Sequence, residues 1–115
     1  MAESQPRAEP LLRVERHDRD GVPHLELVGE LDLSTVDPLK LRLELVERDE
    51  PEAIVVDLRR VTFMDSMGLG ILVSHRLRAE QAGRRLLLIK GPKHIQDLFE
   101  LTGMADHFEF VEPHE

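Results

Sequence analysis

Two kinds of apolar spacing alternate along this chain, and together they set the order of its elements. His24–Glu30 alternates apolar and polar side chains, with Leu25 and Leu27 on one face, as a half-buried strand does. Leu11–His17 precedes it as an edge strand, and Asp18-Arg-Asp-Gly21 supplies the turn of a hairpin. From Ser34 to about Arg48 the period becomes helical. Leu39, Leu43 and Val46 recur on one face, Ser34 and Asp37 resemble a capping pair, and Pro38 is tolerated within a first turn. Ala53–Leu58, Ala-Ile-Val-Val-Asp-Leu, is an aliphatic run broken only by Asp57, which suits a strand covered on both faces. Ser66 to about Ala82 predicts a second helix closed by Gly83. Arg85–Lys90 reads as another buried strand, Lys93–Thr102 as a third helix ended by Gly103, and Phe108–Val111 as a last strand.

The order is therefore β-β-α-β-α-β-α-β. Strands alternating with helices imply parallel pairing and right-handed crossovers. The expected fold is α/β, with a single mixed sheet of about five strands and helices packed mainly on one face. Residues 1–10 are rich in Glu, Gln, Ser and Pro and are expected to form a disordered tail. Residues 11–112 make one domain, and 113–115 a frayed end.

Composition narrows the function. With 3% aromatic residues and neither Trp nor Tyr, the core has to be largely aliphatic. The absence of cysteine excludes disulfides and thiolate chemistry and fits a cytoplasmic protein. A net charge of -8 without a Lys/Arg stripe argues against direct nucleic-acid binding and against an anionic membrane surface. The apolar runs are too short to span a bilayer. The histidines show no metal-ligand spacing, so neither metal nor cofactor is expected.

The richest stretch is Val61-Thr-Phe-Met-Asp-Ser-Met-Gly-Leu-Gly70, which joins the central strand to the second helix. It places Ser66 near a helix start, where backbone N–H groups and partial positive charge tolerate an anion. A phosphate on Ser66 would add roughly -1.5 to -2 charges beside Asp65 and change the surface. A plain N-cap role fits the same position equally well. Gly68 and Gly70 each cost about 1 kcal/mol in a helix, which suggests close backbone approach by the sheet or by a docked partner. Met67, Gly68 and Leu69 are candidates for a partner surface. His75 reads as a packed histidine near an apolar stripe of Ile71, Leu72, Ala79 and Ala82. Asp65-Ser66-Met67-Gly68 is not a Gly-x-Ser-x-Gly elbow, and no His–acid pair accompanies it, so the chain is not expected to be an enzyme.

Two segments carry a resemblance: Gly29-Glu-Leu-Asp-Leu-Ser-Thr35, and Val61–Gly70 with its Asp-Ser-Met-Gly-Leu-Gly core. Over about residues 11–112 the chain resembles the STAS domain family, and within it the freestanding anti-sigma factor antagonists of bacteria. The resemblance implies partner switching. The unmodified protein binds an anti-sigma factor that is also a GHKL-type serine kinase, and so frees a sigma factor to direct transcription. Phosphorylation drives it off, and a PP2C-type serine phosphatase resets it. Carried onto this chain, the phospho-acceptor is Ser66, Asp32 is an acid close to it, and Asp65 precedes it. Met67 stands where the family commonly has a second serine. The alternative the resemblance leaves open is a STAS subunit or scaffold of a transporter or stress-sensing complex.

Overall fold

The computed structural model describes residues 11–113. The expected tail at 1–10 and the last two residues of the expected frayed end lie outside them. Strands β1 (Leu12–Arg19) and β2 (Val22–Leu31) form an antiparallel hairpin. Strands β3 (Ala53–Met64), β4 (Arg85–Ile89) and β5 (Glu109–Phe110) add in parallel, giving the spatial order β1-β2-β3-β4-β5. Helices α1 (Val36–Glu47), α2 (Ser66–Gln81) and α3 (Lys93–Leu101) make the crossovers, and a 3-10 turn at Ala105–His107 precedes β5. The mixed sheet and element order are those the spacing predicts.

One face of the sheet carries the core. Leu25, Leu27, Ile54, Val56, Leu58, Leu86 and Leu88 pack against Leu39 and Leu43 of α1, Leu69 and Leu72 of α2, and Ile95 and Phe99 of α3. Each fully buried side chain of this kind contributes about 1.5–3 kcal/mol. The opposite face has only a small apolar cluster, Val55, Leu87 and Ile89 with Val22, Ala53 and Val111 beside it. Ala53–Leu58 is apolar at every position but Asp57 because it meets both clusters. On the open face, Asp57 is buried yet ion-paired to Arg59, 2.8 Å away. Burial pushes its carboxyl up, but hydrogen bonds from the Arg59 side chain and amide outweigh that and hold it below the usual Asp range.

Several boundaries move where pairing or packing, rather than pattern, decides. Arg59 and Arg60 end the apolar run, yet β3 continues to Met64 because Arg60, Val61, Phe63 and Met64 pair with Val28, Gly29, Glu30 and Leu31. Pairing with β4 ends at Asp57↔Ile89, so this distal half of β3 has β2 on one side only. α3 steadies the other side, where His94 Nε2 lies 2.7 Å from the Thr62 carbonyl oxygen. Helix α1 starts at Val36, and Ser34 does not cap it. The N-cap position belongs to Thr35, whose hydroxyl turns back to donate to the Glu30 carbonyl at 2.7 Å. Pro38 does fall in the first turn. The apolar stripe of α2 is also rotated from its expected place. Gly68, Leu69, Leu72, His75 and Ala79 are buried, whereas Ala82 is exposed.

His75 is packed against the end of α1, 2% exposed, with Nδ1 3.6 Å from Glu47 Oε2. Burial lowers its pKa, the Glu47 charge only partly offsets this, and the net shift is downward from the ordinary 6.5. The folded protein thus holds His75 neutral where the unfolded chain would protonate it. Stability from this site is full above pH 6.5 and declines as pH falls through that value. Urea unfolding at pH 7.5 and pH 5.5 should show the decline, and His75→Leu should flatten it. A variant with the same acid slope as the parent would refute the assignment.

Candidate functional site

β2 and β3 are parallel, so their carboxyl ends lie together, and Leu31↔Met64 is the last pair. Just beyond it, the Asp65 amide donates to the Leu31 carbonyl at 3.3 Å. That bond sets the loop at 32–35 against the start of α2. The two sequence segments singled out above therefore meet in space.

The first loop is held by its own polar groups. Asp32 Oδ1 accepts from the Ser34 amide at 2.9 Å and from the Ser34 hydroxyl at 2.7 Å. The Asp32 amide donates to Thr35 Oγ1 at 2.9 Å. Ser and Asp favour such local bonds over a helix interior, which is why α1 cannot begin earlier. The ordered loop leaves Leu33 outside, 66% exposed.

The second segment starts α2 with Asp65 as N-cap. Its backbone is extended, and its Oδ1 accepts from the amides of Met67 and Gly68, each at 3.0 Å. A cap of this kind contributes about 1 kcal/mol. Ser66 is therefore not the cap but the first helical residue, and it is exposed.

The glycines separate into two roles. A Cβ on Gly68 would lie 2.6 Å from the Leu31 carbonyl oxygen and 2.8 Å from Leu31 Cγ, whereas one on Gly70 would meet nothing within 4 Å. Gly68 is thus a packing residue that lets α2 approach the end of β2. Nothing within the described residues crowds Gly70. The expected partner surface changes accordingly. Met67 is 48% exposed and stays in it, while Leu69, 4% exposed, belongs to the core and Gly68 is buried.

Two residues belong to the exposed surface that sequence reasoning missed, Leu33 and Phe63. Phe63 is 49% exposed, on the last turn of pleat before Met64. Phe99, Phe108 and Phe110 pack together in the interior, so Phe63 is the one phenylalanine spent on the surface. An apolar residue inside each polar motif was the available signal. Leu33, Phe63 and Met67 are each exposed on the segments leading into α1 and through the first turn of α2, where Ser66 is exposed and Asp32 and Asp65 are half-buried.

The family profile described as "Mlab, STAS domain" matches residues 14–112. The chain belongs to the STAS domain family. It is similar to the anti-sigma-B factor antagonist of Staphylococcus aureus, 34% identical over 95 residues that span 83% of this chain and 88% of the relative. Among solved structures it is similar to an anti-sigma factor antagonist from Mycobacterium paratuberculosis, at 28% identity and TM-score 0.75, covering 90% of this chain and 86% of that one. It also shares the fold of the Bacillus cell fate determinant SpoIIAA, solved in a phosphorylated form, at 20% identity and TM-score 0.67, covering 90% of this chain and 92% of that one. Among the described residues, no helix is long and apolar enough to cross a membrane.

Proposed function

We propose that this STAS domain is an anti-sigma factor antagonist of a bacterial cytoplasm, working by partner switching with Ser66 as phospho-acceptor. The observation that carries the reading is the Ser66 hydroxyl itself. It is exposed at the first position of α2, next to a cap that does not need it, and is followed directly by exposed Met67. The names of its relatives support the same role.

In the unmodified state the apolar surface docks on the anti-sigma factor, a serine kinase of GHKL type, which then gives up its sigma factor. That kinase transfers the γ-phosphoryl group of ATP to Ser66 Oγ. An O–P bond forms, the hydroxyl proton leaves, and ADP departs. A PP2C-type phosphatase hydrolyses the ester to reset the switch.

The local geometry favours a change of surface over a change of fold. Asp65 already occupies the amides of Met67 and Gly68. A phosphate on Ser66 would gain the favourable field of the helix start but not those two donors. Its charge, roughly -1.5 to -2, would remain directed outward. Set against an apolar contact, such a charge loses its hydration without compensation. The Asp32 and Asp65 carboxylates add repulsion toward any acidic group opposite.

Pull-down of partners from cell extract with and without ATP, read by mass spectrometry, tests the reading. The expected result is capture of an anti-sigma kinase that is lost on adding ATP, with one phosphate mapped to Ser66. Phosphate on Ser34, Thr62 or Ser74 instead would overturn the site.

A further inference from the structure

The open face of the sheet gathers ligand-type side chains in register. Hairpin pairing sets Glu15 opposite Glu26 and His17 opposite His24. The β2–β3 register then sets Glu26 beside Asp57. Three carboxylates thus stand in one row across adjacent strands. Like charges placed directly opposite destabilise a sheet, so this row calls for cations.

Arginines supply part of the compensation. Arg59 takes Asp57 through two nitrogens, with Nη2 2.8 Å from Oδ2. Arg60 Nη1 lies 3.7 Å from Glu26 Oε2, and Arg13 Nε lies 3.4 Å from Glu15 Oε2. On Glu26 the second oxygen faces a different group, His17 Nε2, 3.7 Å from Oε1. One ligand atom from each of Glu15, His17 and Glu26 lies within 4.8 Å of the others. A cavity of about 180 Å³ opens alongside, bordered by His17, His24, Glu26 and Asp57 and also by Arg19 and Arg59. His24 Nδ1 is 3.1 Å from the Val22 carbonyl oxygen. An N–H donated there leaves the lone pair on Nε2, the arrangement that backbone-bonded metal ligands use.

We propose that Glu15, His17 and Glu26 form a site for one divalent transition-metal ion of the zinc or nickel class. One imidazole and two carboxylates suit such ions. Bonds of about 2.0–2.2 Å require the three ligand atoms to draw closer. These side chains stand on a strand surface and are at least partly exposed, so rotamer changes accomplish this. Water completes the coordination. The ion relieves the Glu15–Glu26 repulsion and ties the sheet-edge strand β1 to β2. The ligands are hidden in the sequence because hairpin register, not spacing, brings Glu26 to Glu15 and His17. The site is independent of the Ser66 reading.

The test is calorimetric titration of the full chain with ZnCl2 and with NiCl2 in chelator-free buffer, alongside thermal unfolding. Expected are one-to-one binding and a rise in melting temperature with metal concentration. His17→Ala and Glu26→Gln should each weaken binding by at least about tenfold, the smallest loss usual even for an outer-shell partner. His107→Ala, on the 3-10 turn, should bind as the parent does. In the parent protein, Ni2+ should broaden amide resonances first around residues 15, 17 and 26, which needs no variant to fold. No binding at millimolar metal, undiminished binding in His17→Ala and Glu26→Gln, or broadening centred on His94 or His107 would each overturn the proposal.

Discussion

Ser66→Glu should weaken binding to the anti-sigma kinase by at least about tenfold, equivalent to about 1.4 kcal/mol, while Ser66→Ala should bind like the unmodified parent. The glutamate places a charge at an exposed position beside exposed Met67, where a docked partner would otherwise exclude water. Alanine removes only a hydroxyl that caps nothing, since Asp65 holds the first-turn amides. The alanine complex should also resist release by ATP, having no acceptor oxygen. Both variants should melt close to the parent, because an acid at the first helical position sits in a favourable field. Surface plasmon resonance with the immobilised kinase reads the affinities. Equal affinity for the two variants would remove the charge mechanism, and a large drop in melting temperature for Ser66→Glu would mean that the scaffold, not the surface, had changed.

Gly68→Ala should destabilise the domain by about 1–3 kcal/mol, the usual cost of forcing atoms into a packed interior. The added methyl would press on the Leu31 carbonyl oxygen at 2.6 Å, the same oxygen that accepts the Asp65 amide. Relief requires α2 to move off the end of β2, which separates the Asp32 loop from Ser66. Gly70→Ala should do the opposite. With nothing within 4 Å of its new methyl, it should gain up to about 1 kcal/mol from helix propensity. Paired chemical-denaturation curves measure both changes. If the two alanines shift stability in the same direction, the assignment of Gly68 to internal packing fails. Should Gly70→Ala also bind the kinase less well while folding more firmly, Gly70 lies under the docked partner.

The fold was legible because its strands and helices differ in period. Leu25 and Leu27 alternate with polar neighbours, Leu39, Leu43 and Val46 recur at helical spacing, and Ala53–Leu58 is apolar at every position but Asp57 because both faces of β3 are covered. What pattern could not show was set by partners distant in sequence. Arg59 and Arg60 look like the end of a strand, but β2 carries the pairing on to Met64. Ser34 looks like a cap, but Asp32 claims its amide and hydroxyl. At the candidate site, Ser66 and Asp65 were found together, and their roles were then divided by geometry. Asp65 caps the helix and Ser66 is left free of that task. Leu69 was placed on the surface because it adjoins Met67, but helical rotation turns it into the core. Leu33 and Phe63 escape pattern reading because an isolated apolar residue in a polar motif carries no periodic signal.

If Ser66 is the acceptor, the aspartate clasp at the head of α2 would bear on how quickly the proposed switch runs backward. A phosphate gripped by its own helix would have to be prised loose before hydrolysis. Here the amides of Met67 and Gly68 are already engaged by Asp65, so an ester on Ser66 would stand as open to a phosphatase as the bare hydroxyl to a kinase. Both halves of such a cycle would then proceed on one framework, with turnover set by enzyme supply rather than by any refolding of the substrate.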